Sequence, residues 1–268
     1  MVASQRVSLK TPKLLIDADL VIFRQCAAVE RDIKWSSVTG DETDANTHTL
    51  VSDAGEAFGG VERAIKRLTD KFETDDVLMC ISAGRNFRYD VDPTYKQNRK
   101  DSRKPVAYME VLKRAEDTWP SFKFDGLEAD DVMGIFATRD ANTIICSADK
   151  DMKTIPCTLY DGKAVQKINR SVADTWFFYQ VLVGDTADGY PGLPGCGPKK
   201  ADAIIKQALG TKTGTLEENL WAGVVAAYEA RDLTAEDALK QARMARILRN
   251  SDWDAVKKEP ILWSPPTL

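Results

Sequence analysis

The chain has 268 residues, 43% of them hydrophobic and 29% charged, with a net charge of −4. This composition supports a folded core, and the longest apolar runs, Leu14–Ile16 and Leu20–Phe23, are too short for a membrane span or secretory signal, so a cytosolic protein is expected. The single histidine, His48, argues against two-histidine catalysis and His-rich zinc sites, and five cysteines without a CxxC pair read as reduced and buried.

Lys13–Phe23 reads as a buried parallel strand, apolar on both sides of Asp17 and Asp19. Ser36 to Thr49 is polar and reads as a loop, and Gly59–Phe72 carries the helical period Val61, Ala64, Ile65, Leu68, Phe72. Asp76–Ser82 predicts a second strand. The stretch from Arg85 to Lys104 holds seven basic and three acidic residues. Within it Lys96, Arg99, Lys100 and Arg103 follow an i, i+3, i+4, i+7 spacing. If helical, they form a cationic stripe for a nucleic-acid backbone beside Tyr95 for base stacking; a merely solvated face fits the same spacing. Pro105 opens a predicted helix to about Thr118, followed by a short strand at Phe122–Phe124, a helix at Glu128–Arg139 and a strand at Thr143–Cys146. Strand alternating with helix predicts an α/β fold with a parallel sheet. From about Ser171 the pattern turns helical, which divides the chain into regions 1–170 and 171–268. Beyond the Gly/Pro segment Gly184–Pro198, helices are predicted at Lys199–Ala208, Leu216–Glu229 and Ala235–Arg249, with an extended tail at Pro260–Leu268.

The acids collect where chemistry would be expected. Asp17 lies in or near the end of the first strand, and Glu128, Asp130 and Asp131 open a helix just after a strand. Asp149 and Asp151 follow another strand, and Asp185 and Asp188 bracket a turn after a helix. Loops at the carboxyl ends of parallel strands converge on one crevice, so these acids can meet there. Gathered carboxylates repel unless cations neutralise them, and all-oxygen donors select magnesium or manganese. Two such ions can activate water for phosphodiester hydrolysis without histidine. Capping and turn roles suit most of these acids as well, but a lone carboxylate in an apolar strand, such as Asp17, needs a partner.

Gly192, Gly195 and Gly197 make a Gly-rich turn entering a helix, where backbone N–H groups can approach a phosphate. Lys199 and Lys200 would add phosphate attraction; a tight interhelical turn is the plainer alternative. No base-reading pattern is visible, so recognition should be of structure rather than sequence.

The segments LLIDAD, PTYKQNRK, GLEADDVMG, CSADKDM and VGDTADGYPGLPGCGPKKA resemble, in order, the motifs of the 5′-nuclease superfamily, which includes flap endonucleases and the 5′-nuclease domain of DNA polymerase I. The likeness is greatest to stand-alone 5′→3′ exonucleases of bacteriophages, and it runs from Asp17 to Ala201. It implies a PIN-like catalytic domain over 1–170 and a helical DNA-binding region over 171–268 with a helix–three-turn–helix element. It implies metal ligation by Asp17, Glu128, Asp130, Asp131, Asp149, Asp151, Asp185 and Asp188. It implies that Lys96 and Arg99 handle the scissile phosphate, that Arg88 contacts another phosphate, and that Gly192–Gly197 binds a potassium ion. The implied partner is DNA with a 5′ end, whether duplex, nicked or flapped, with RNA–DNA hybrid as a further substrate, and the setting is a host cytoplasm if the gene is phage-borne. One departure is Ser82, where many relatives carry an aspartate at the end of the second strand. The segment between Arg88 and Pro105 is also short, which favours exonuclease action over threading of a flap.

Two rivals make different demands. A phosphatase of the haloacid-dehalogenase kind would use LLIDAD as its nucleophile motif, but needs its late acids after a strand. A DNA-binding relative without activity would bind and not cut.

Overall fold

Leu14, Leu15 and Ile16 have no solvent exposure because their strand, β1 (Lys13–Asp17), lies inside a six-stranded sheet. The computed structural model describes residues 11–44 and 46–266. After β1 the chain enters α1 (Ala18–Val29), then a two-stranded antiparallel hairpin of β2 (Arg31–Lys34) and β3 (His48–Val51) enclosing the single-turn α2 (Ser36–Thr39). Next come α3 (Ala54–Phe72), β4 (Val77–Cys80), the single-turn α4 (Arg88–Val91), α5 (Tyr108–Thr118), β5 (Ser121–Phe122) and α6 (Ala129–Arg139). The strands β6 (Thr143–Cys146), β7 (Cys157–Tyr160) and β8 (Val165–Ile168) complete the sheet. Its order is β5-β4-β1-β6-β7-β8, parallel throughout except for β8, which runs antiparallel to β7.

Every residue of β4 and β6 is buried, as expected of strands covered on both faces. One face packs Leu14, Ile16 and Met79 against Ile22 of α1, Val61 and Ile65 of α3 and Val111 of α5. The other packs Leu15, Leu78 and Ile145 against Val132 and Met133 of α6. A third core joins α7 (Arg170–Val183), α8 (Pro198–Gly210), α9 (Leu216–Glu229) and α10 (Ala235–Ala245) through Phe177, Phe178, Trp221 and Trp263. Tyr95 belongs to this helical core, which carries the segment after β4 onto the C-terminal helices.

The structure departs from expectation at several junctions. The strand predicted to Phe23 ends at Asp17, whose carboxylate accepts the Leu20 N–H at 3.0 Å and caps α1. The apolar run Leu20–Phe23 therefore lies in a helix, where Ile22 and Cys26 face the core. The polar stretch from Ser36 contains α2 and part of the hairpin rather than a plain loop. The helix expected to reach Arg249 stops at Ala245, and Arg246 and Arg249 turn inward to pair with Asp252 and Asp174. The cysteines are free, four buried and Cys157 half-buried. Residues 1–10, 45 and 267–268, including the last two positions of the predicted tail, lie outside the described residues.

Candidate active site

Four segments meet at the carboxyl end of the sheet. Asp17 closes β1, Ser82 follows β4, Glu128 to Asp131 open α6, and Ser147 to Asp151 follow β6. A cavity of about 350 Å³ there is lined by Asp17, Asp19, Glu128, Asp130 and Asp149 together with Lys96, Arg99 and Tyr108. This is the crevice that parallel strand topology favours.

The acids in it strain against one another. Burial raises the Asp17 carboxyl to about 6; the Leu20 N–H and Ser147 O–H oppose the rise, and the charges of Asp19 and Asp149 add to it. Asp130 is pushed well above the ordinary carboxylate range, first by burial and then by Asp17 and Asp149. Asp151 is raised to about 7 by burial and by Asp149, with Asp185 and Asp188 contributing. The centre holds more negative charge than its surroundings neutralise.

On its other side the acids are paired. Lys96 donates to Glu128 Oε1 and lies 3.6 Å from Asp188. Arg99 bonds Asp188 at 2.8 Å, and Lys150 reaches Asp185 at 2.9 Å. Burial tends to raise Glu128, but Arg88 and Lys96 outweigh it and hold its carboxyl below the ordinary range. Lys150 bonding does the same for Asp185 against its burial. Among the described residues no group of three or more His, Cys, Asp or Glu side chains is already arranged to hold a metal ion. The donor chemistry still fits a hard divalent cation, since Asp17, Asp130 and Asp151 are oxygen donors whose crowding a cation would relieve.

Several sequence expectations need correction. Asp131 is fully buried and accepts four hydrogen bonds, two from Arg88 and one each from the Glu128 and Leu248 N–H groups. Its acceptor capacity is filled by these bonds, and it does not line the cavity that Asp17, Asp130 and Asp149 share. Arg88, 3% exposed, also bonds the carbonyls of Met244 and Arg246, so it braces α6 to the end of α10 rather than meeting a phosphate. Tyr95 is buried too and cannot stack on a base; its hydroxyl lies 2.8 Å from Glu128 and 3.2 Å from Asp188. The basic residues form no helical stripe, because Lys96 adopts left-handed φ of 51° and only Gln97–Arg99 makes a 3-10 turn. Lys96 and Arg99 point at the acids, Arg103 pairs with Glu30, and Lys100 is exposed.

The hairpin divides in the same way. Gly192 N–H donates to buried Gln241, and a Cβ there would lie 2.3 Å from the Gly184 nitrogen. Gly192 thus serves close backbone packing and offers no amide to a phosphate. Gly195 and Gly197 stand in the open before α8, beside exposed Lys199 and Lys200, whose Nζ donates to the Gly195 carbonyl at 2.9 Å.

Sequence reasoning missed the supporting donors. Ser147 bonds Asp17 at 2.8 Å, Gln180 bonds Asp151, and Tyr108 bonds Asp19 at 2.7 Å. Gln180 was detectable as the polar member of the run FFYQVLV, since a buried amide needs a partner.

The model of the 5′-3′ exonuclease N-terminal, resolvase-like domain matches residues 12–174. The chain belongs to this 5′-3′ exonuclease family. It is a nuclease, and therefore a hydrolase. An exodeoxyribonuclease of Enterobacteria phage T3 is 27% identical over 94% of this chain and 92% of its own length. An exonuclease of Escherichia phage T7 is 29% identical over 94% of this chain and 93% of its own. Among solved structures, the T5 D15 protein co-crystallised with metal ions aligns with a TM-score of 0.52 at 16% identity, over 87% of this chain and 99% of that one. The catalytic core of Rad2 in complex with DNA substrate aligns at 0.51 and 16%, over 97% and 84%. These two likenesses establish the shared fold. The late acids Asp185 and Asp188 follow helix α7 rather than a strand, whereas the phosphatase reading needs them after a strand.

Proposed function

We propose that this nuclease degrades DNA from free 5′ ends, with divalent cations held at the carboxyl end of its sheet. The observation that carries the reading is the surplus of negative charge at Asp17, Asp130 and Asp151 beside the cationic pair Lys96 and Arg99. Asp17, Asp130 and Asp149, with Asp151, Asp185 and Asp188, would hold magnesium or manganese ions, which supply a water nucleophile at neutral pH and offset charge on the leaving oxygen. Lys96 and Arg99 exchange Glu128 and Asp188 for the scissile phosphate, so their positive charge passes from protein acids to the group that gains negative charge. Glu128, released by Lys96, becomes available as a further oxygen donor. Ser147 and Gln180 hold Asp17 and Asp151 in orientation throughout.

The open glycines Gly195 and Gly197, with Lys199 and Lys200, suit contact with the duplex backbone some distance from the cut. Exposed Lys100 suits the strand that enters the cavity. A potassium ion at the hairpin would share the Gly195 carbonyl with Lys200. Among the described residues no helix is long and apolar enough to cross a membrane. The phage exonucleases that this chain resembles suit action in a host cytoplasm.

Digestion of 5′-labelled duplex, nicked, flapped and RNA–DNA hybrid substrates with magnesium tests the reading. Short labelled products should appear first and vanish with a chelator. Release of label only after degradation from the 3′ end, or full activity in chelator, would refute it. The same series sets the balance of exonuclease and flap cleavage.

A further inference from the structure

Asp19 stands in the first turn of α1, two residues beyond the cap Asp17, and lines the same cavity as Asp17, Asp130 and Asp149. Its two oxygens are held from opposite sides. Oδ2 accepts the Ser82 N–H at 3.0 Å, and Oδ1 accepts the Tyr108 O–H at 2.7 Å. The Ser82 hydroxyl oxygen is turned elsewhere and accepts the Ala129 N–H at 2.9 Å, which ties the end of β4 to the start of α6. Tyr108 is itself 1% exposed, so its ring leaves the hydroxyl little freedom.

The charge environment of Asp19 differs from that of the paired acids. Glu128, Asp185 and Asp188 each have a lysine or arginine, whereas among the described residues no lysine or arginine pairs with Asp19. A carboxylate oxygen has two lone-pair directions, so one bond to each leaves Asp19 able to accept again on the cavity side. Orientation by neutral donors, with no competing cation, is the arrangement that suits a metal ligand.

We infer that Asp19 is a further divalent-cation ligand of this centre, supplied by α1 at the end of β4 where the chain carries Ser82, and that Tyr108 is its positioning residue. The inference rests on the divalent-cation reading above. It adds a fourth oxygen donor to the Asp17, Asp130, Asp149 side of the cavity.

Manganese titration of the chelator-stripped full chain without DNA, followed by the paramagnetic resonance signal of free Mn2+, tests it apart from activity. Asp19→Asn keeps the shape and one acceptor but removes the charge, and should weaken Mn2+ binding about tenfold or abolish part of the stoichiometry. Tyr108→Phe keeps the carboxylate and should weaken binding by a smaller factor. Melting in chelator confirms that each variant is folded, and Asp19→Ser serves if the amide disturbs the turn. Wild-type affinity and stoichiometry in a folded neutral Asp19 variant, while Asp17→Asn loses binding, would overturn the role of Asp19 alone. A wild-type chain that takes up no Mn2+ would overturn the divalent-cation reading beneath it.

Discussion

Arg88 and Asp131 form a two-point ion pair at 2.8 and 2.9 Å, with Asp131 fully buried and Arg88 nearly so. The same guanidinium bonds two carbonyls at the end of α10, so the pair joins helix α6 to the C-terminal helices. Arg88→Ala would leave Asp131 buried and uncompensated, a loss of about 3–5 kcal/mol for a pair of this kind. Urea denaturation should show the fall directly. An unchanged midpoint with a selective loss of DNA affinity would return Arg88 to the phosphate contact that its sequence position suggested.

Lys96 is held in a left-handed backbone conformation that brings its ammonium between Glu128 and Asp188. Burial tends to lower its affinity for protons, but the charges of these two acids prevail and raise it, so it stays cationic at the pH of the reaction. Lys96→Ala should therefore slow turnover by about 10²–10³-fold, the range for loss of one preorganised charge donor. Affinity for DNA should change much less, because other basic groups carry non-specific phosphate attraction. Single-turnover kinetics beside filter binding separate the two effects. A defect confined to affinity would make Lys96 a substrate-positioning group.

The elements that sequence made legible were those whose pattern matched their burial. Thr143–Cys146 and Leu216–Glu229 form as the apolar pattern suggested, because the strand is buried on both faces of the sheet and the helix packs one apolar face into the helical core. Asp17 was legible as a charge that apolar β1 could not carry without partners, and Ser147 and the Leu20 N–H are those partners. The strand-to-helix switch at Asp17 was not legible, since LVIF is equally apolar as strand or helix and only the cap decides. The direction of Arg88 and Tyr95 was hidden for another reason. A basic residue between acids distant in sequence reads as a nucleic-acid contact until the fold brings Asp131 and Glu128 beside it. Gly192 misled in the same way, because contact with Gly184 and Gln241 is a tertiary fact.

The raised acids predict a pH signature in the absence of metal. Asp17 at about 6 and Asp151 at about 7 both lie above the ordinary value of 3.8, so the folded chain holds these protons more tightly than the unfolded chain. Their ionisation opposes folding, and their contribution to stability falls as pH rises from about 4 towards 7. Asp151→Asn removes one of these charges. In chelator its melting temperature should gain on that of the wild type as pH increases from 4.5 to 8, working values of about that range. Added Mn2+ should stabilise the wild type more at the upper end, where protons no longer compete for the oxygens. A difference between the two proteins that does not vary with pH would mean that Asp151 is relieved by something other than protonation.

Gly192 and Gly195 share positive φ, at 63° and 65°, but not surroundings. A methyl group at Gly192 would sit 2.3 Å from the Gly184 nitrogen and 2.7 Å from the Leu182 carbonyl, both backbone atoms that cannot swing aside. Gly195 has open space where its Cβ would be. Left-handed backbone alone costs an alanine about 1–2 kcal/mol, and forced overpacking adds about 1–3 more. Gly192→Ala should thus lose about twice the stability of Gly195→Ala or more, read from chemical denaturation. DNA affinity measured on folded protein should show the reverse order, because the turn at Gly195 faces outward beside Lys199 and Lys200 while the Gly192 amide is bound to Gln241. If Gly192→Ala kept full stability and lost only DNA binding, both halves of the hairpin would belong to the nucleic-acid surface.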